Sequence, residues 1–155
     1  GIYNNGSHFI NLIEYWLGYL KKSFVISKGR LFNQIDPEPD FLLEFEKGSV
    51  SFLSAWEEFY SFYKIELITK SGTINYNSGG EKITFHNIQT DKKINNYKII
   101  SNYGIPISSD MNNYQYNVYN ELFKSIEGLH ANICKGNEAL QTQKILYLID
   151  KQLSL

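Results

Sequence analysis

The sequence predicts an α+β fold: a mostly antiparallel, open-faced sheet of about six strands with helices packed on one face. Two observations predict it. Apolar residues recur with a helical period near both ends of the chain and with a period of two between them. The strand-like stretches are joined by short Gly-containing turns, so no strand–helix alternation exists to build a parallel sheet.

The first helix is expected from Ser7 to Lys22, where Phe9, Ile10, Leu12, Ile13, Trp16, Leu17 and Leu20 cover most of the surface. Ser7 is placed to cap its start, and Lys21 and Lys22 suit the negative end of its dipole. "SFVISKGRLF" then reads as a first strand, and "IDPEPD" as a break, because Pro37 and Pro39 force extended or turn geometry. "FLLEFE" alternates Phe41, Leu43 and Phe45 against Leu42, Glu44 and Glu46, and "KGS" turns it into "VSFLSAW". "FYKIELITK", "INYN" and "KITFHNI" follow, joined by "SGT" and "SGGE", completing an antiparallel meander. One more strand is expected at "YKIIS". Helix returns from Asp110, with Met111, Tyr114, Val118 and Leu122 at helical spacing, and closes the chain in "GNEALQTQKILYLIDKQL".

At 155 residues the chain is one domain long, 1–155, and 43% hydrophobic against 20% charged residues argues for a folded core and against disorder. Fifteen basic and 16 acidic residues nearly cancel and form no basic stripe, which excludes nucleic acid as the expected partner. No apolar run is long enough to span a membrane and no signal peptide is evident, so a cytoplasmic protein is expected. Cys134 stands alone, so neither a disulfide framework nor a multi-cysteine metal site is possible, and it reads as inert.

The opening "GIYNNGSHFINLIEYWLG" places a histidine in an apolar stretch with polar companions. Asn4, His8, Asn11 and Gly18 fall on one face if the first turn reaches back to Asn4. A histidine at a helix start is usually structural; the functional reading is proton transfer, since imidazole exchanges a proton near neutral pH. His86, on the polar face of a strand, reads as exposed or interfacial, and His130 as a cation in a helix C-terminal turn. Neither has metal-ligand spacing, and no metal site is expected. "SGG" at 78–80 resembles a hairpin turn, not a phosphate cradle, because no helix follows it, and no G-x-G-x-x-G turn is present.

The first 18 residues resemble the start of the C-terminal domain in the glucose–fructose oxidoreductase / inositol dehydrogenase / MocA family. There a G-x-x-x-[D/N]-x-G-x-H-x-x-D-like helix opens the domain; Asn4 matches the aspartate, Gly6 the glycine, His8 the histidine and Asn11 the later acid. "DFLLEFEKGSVSFLSAW" is similar to the family's hairpin, "YKIELITKSGTINY" to its next pair and "GNEALQTQKILYLI" to its closing helix, so the resemblance spans nearly the whole chain.

The resemblance implies a dihydrodipicolinate-reductase-like C-terminal domain, with the NAD(P)-binding Rossmann domain and its catalytic lysine absent from this chain. Gly1 then looks like an artificial or proteolytic start. His8 and Asn4 are the implied catalytic residues and Asn11 an implied substrate-binding one. The implied activity is NAD(P)-dependent oxidation of a sugar or nucleotide-linked sugar in polysaccharide-precursor metabolism, with the isolated chain inactive. Asn4 and Asn11 stand where many members have acids, and a less anionic pocket suits a substrate carrying its own negative charge. The resemblance also implies a homo-oligomer, at least a dimer, through the open sheet face. Trp56, Phe59, Tyr60, Phe62 and Tyr63 crowd into one stretch, which points the same way. The rival readings are a non-catalytic binding or assembly module, in which His8 is a capped core residue, and an inactive family relative.

Overall fold

The structure, a computed structural model, describes residues 1–29, 31, 34–56 and 58–154. The fold is α+β with antiparallel sheets, as the hydropathy periods require. Its strands do not form one meander. β1 (Leu20–Ser27), β2 (Asp40–Phe45) and β3 (Ser49–Phe52) make a three-stranded sheet. β4 (Lys64–Thr69), β5 (Gly72–Asn77), β6 (Lys82–Thr90), β7 (Lys98–Ile100) and β8 (Ile105–Ile107) make a five-stranded one. The 155 residues divide accordingly into two compact units, Gly1–Ala55 with Cys134–Leu155, and Trp56–Ile133.

In the first unit, α1 (Ser7–Leu17) and α3 (Gly136–Leu153) pack on one face of the sheet. Alternation in β2 aims Phe41, Leu43 and Phe45 at the helices, where they meet Ile10, Ile13, Ile145, Leu146 and Ile149. Phe41 and Phe52, opposite one another across β2 and β3, stack at 4.6 Å between ring centroids. The helix expected to reach Lys22 stops at Leu17. Gly18 takes φ +83°, a backbone angle that a side chain would oppose, and donates its N–H to Glu14 O. Leu20, Lys21 and Lys22, read as helical and as cations at a helix C-terminus, open β1 instead and pair with β2. The expected first strand ends at Ser27, and its Arg30 and Phe32 lie outside the described residues.

β1 is an edge strand, and α3 covers part of its free side. Gln152 accepts from Val25 N (2.9 Å) and donates to Ser23 O (3.2 Å) and Ser23 Oγ (2.8 Å).

In the second unit, β4–β5–β6 is a meander with the register Ile65↔Tyr76 and Ile74↔Phe85. β7 and β8 both pair with β6, at Ile88–Thr90 and Ile83–Phe85 respectively. β8 was not expected; at three residues including Pro106 it is too short to show a period. α2 (Tyr114–Ile126) has its apolar spacing but buries none of its residues. It ends before Gly128, so His130 lies beyond the helix rather than in its last turn.

Candidate functional site

Ser7 does not cap α1. A π-type turn, Ile2–Gly6, runs directly into the helix, and the Ser7 hydroxyl donates backward to Asn4 O (2.7 Å). The open N–H groups at the start are met from the "IDPEPD" stretch. Ile2 N donates to Pro37 O (2.9 Å), Tyr3 N to Asp36 Oδ1 (2.7 Å) and Asn4 N to Asp36 Oδ2 (3.3 Å). Asp36, in that break, is therefore a helix cap supplied from far along the chain, with a negative charge where the dipole favours one. Tyr3 adds a second anchor, its hydroxyl donating to Asp150 Oδ1 of α3 (2.9 Å). Partial burial and then that carboxylate push the phenol up to about 12.

This scaffold presents the residues singled out in the sequence in two different ways. Asn4 and His8 are exposed, and neither side chain has a hydrogen-bond partner among the described residues. Asn11 is half-buried and turned into the seam between the helices, where its Nδ2 donates to Thr142 Oγ1 (3.0 Å). The Thr142 hydroxyl in turn donates to Glu14 Oε2 (2.7 Å). Burial raises the Glu14 carboxyl above its ordinary range, and the Thr142 bond lowers it by less. The polar stripe thus runs from open surface at His8 into a helix–helix contact at Asn11. Tyr15, 72% exposed, continues the stripe one turn beyond Asn11, and the same helical arithmetic would have found it.

His86 is not merely exposed. Its Nδ1 lies 2.9 Å from Ser101 O, which only accepts, so Nδ1 carries the proton and Nε2 accepts from the Thr84 hydroxyl (3.3 Å). The ring ties β6 to the segment after β7, and Gly104 packs so close that a Cβ there would sit 2.7 Å from Nε2. Beside it an open groove runs along β6 past the β4–β5 turn, lined by Ser71, Phe85, Asn87, Gln89 and Lys98. Cys134 is exposed, with its thiol 3.7 Å from Lys135 O.

Among the described residues no cluster of three or more His, Cys, Asp or Glu is placed to hold a metal ion, and no helix is long and apolar enough to cross a membrane. The glycine pair Gly79–Gly80 lies in a 3-10 turn between antiparallel β5 and β6, with Gly80 against the Tyr76 ring and no helix N-terminus after it. No family model, no curated protein and no solved structure matches this chain.

Proposed function

We propose that this chain is the substrate-binding and dimerisation half of an NAD(P)-dependent oxidoreductase acting on a sugar or nucleotide-linked sugar. The observation that carries the reading is the state of His8. Its imidazole is exposed and unbonded on the first turn of a helix whose start is held by Asp36 and Pro37 and whose inner face is buried. Its imidazole is open to a substrate hydroxyl from a helix anchored at its start, which supports a part in proton transfer.

In the proposed reaction His8 takes the proton of the sugar hydroxyl, while the hydride on the same carbon would pass to the nicotinamide of the NAD(P) that the proposed enzyme uses. Asn4, likewise exposed, hydrogen-bonds the same or a neighbouring hydroxyl and orients it; an amide adds no negative charge to repel a phosphorylated or carboxylated substrate. The dinucleotide would be held by residues outside this chain. In the protein that carries both halves, His8→Ala is expected to lower kcat by about 10²–10⁴, read from nicotinamide absorbance over a panel of sugars and nucleotide-linked sugars. A variant with the parent's turnover would refute the role of His8.

A second reading, an assembly module without catalysis, draws on one observation of the second unit. Every fully buried hydrophobic side chain among the described residues lies within Gly1–Ala55 or Cys134–Leu155. A folded unit that buries none is suited to docking. The absence of any sugar oxidation by the complete protein would favour it.

A further inference from the structure

We propose that Thr142 is a positioning residue for His8, acting through α1; the inference rests on the reading of His8 as the proton acceptor. Thr142 is only 4% exposed, and its hydroxyl makes both bonds that cross the α1–α3 seam at this level. It accepts from Asn11 Nδ2 at 3.0 Å and donates to Glu14 Oε2 at 2.7 Å. A weaker contact to Glu138 O, at 3.5 Å, lies within its own helix. Asn11 and Glu14 are three residues apart, so one hydroxyl grips one face of α1 at two successive levels.

That grip does what the apolar packing around it cannot. Contacts among Ile10, Ile13, Ile145 and Ile149 resist separation of the helices but have no direction, so they tolerate a small rotation of α1 about its axis. Hydrogen bonds with a fixed donor and a fixed acceptor do not. His8 sits one turn before Asn11, between that grip and the Asp36 and Tyr3 bonds at the start of the helix, and it moves with any turn of α1 that loss of the grip allows. With side-chain atoms roughly 6 Å from a helix axis, a turn of about 20° carries the ring by about 2 Å. A misplacement of about 1 Å at a reacting group already costs about 10²-fold in rate. On this account Asn11 and Glu14 serve the site from behind, by holding its helix.

The test pairs Thr142→Val, which keeps the shape and removes the hydroxyl, with Thr142→Ser, which restores it. In the complete protein, well below the unfolding temperature, Thr142→Val is expected to lower kcat about 10- to 100-fold with little change in KM, and Thr142→Ser to recover it. Asn11→Ala, which spares the Glu14 bond, should fall the same way and serves if the valine variant does not fold. A readout independent of catalysis uses the 155-residue chain itself. The His8 imidazole resonance, assigned with His8→Gln, should be sharp in the parent and shifted or exchange-broadened in Thr142→Val. Full kcat in Thr142→Val beside a dead His8→Ala would overturn the positioning role and leave the proposed function standing. Unchanged turnover in His8→Ala would overturn both.

Discussion

Glu14 sits where burial alters its chemistry. Its carboxyl is half-buried in the α1–α3 seam, and burial, opposed only in part by the Thr142 hydroxyl, raises it above the ordinary carboxylate range. The folded state therefore favours the neutral acid. The corresponding stability is fully present below the unfolded-state value and is lost as the pH rises through the folded one. Glu14→Gln, which mimics the neutral form, should match the parent's thermal midpoint in acid and exceed it once the pH passes above the carboxylate range. A difference between the two that stays constant with pH would contradict this assignment. Asn4 and His8 were legible at this scale because helical spacing alone puts them together. The partner of Asn11 was not, since Thr142 stands 131 positions away and nothing local marks it.

Among the elements, α3 shows how far local sequence reaches: its bounds, Gly136–Leu153, are those of the apolar-periodic stretch read from the chain. α1 shows the limit. Leu20 continues the helical period and two lysines follow, yet the helix stops at Gly18 because β1 gains a ladder with β2 that the helix could not offer. At its other end a serine in the right place is bypassed in favour of Asp36. β1 in turn depends on α3, through the three hydrogen bonds of Gln152. Replacing this side chain by Leu keeps its bulk and leaves Val25 N–H and Ser23 O without that partner. Gln152→Leu is expected to destabilise the chain by about 1–3 kcal/mol in urea unfolding, with faster amide exchange at Val25. An unchanged midpoint and an unchanged Val25 would show that water replaces the glutamine at no loss.

For the whole molecule, the decisive contrast is between the two units. Among the described residues, all ten buried hydrophobic side chains lie in the first. The second leaves Trp56, Phe59, Tyr60 and Phe62 more than half exposed, and along α2 Tyr116, Val118, Tyr119 and Phe123 as well. Apolar surface of that extent favours association, and a second copy of the chain related by a two-fold axis would cover it on both partners at once. Light scattering on the purified chain at tens of micromolar should therefore give at least twice the 18.0 kDa of one chain. A clean monomer would remove the dimerisation role from the proposed function. By itself the sequence determined the α+β class, most strands and their short turns, and the closing helix, because each is written in the spacing of near neighbours. Only the tertiary structure decided that the strands part into two sheets, that Asp36 and Pro37 hold the start of α1, that Asn11 faces Thr142 while His8 faces out, and which unit owns the core. Those outcomes depend on hydrogen bonds and burial between residues tens of positions apart, and hydropathy periodicity carries no record of such pairs.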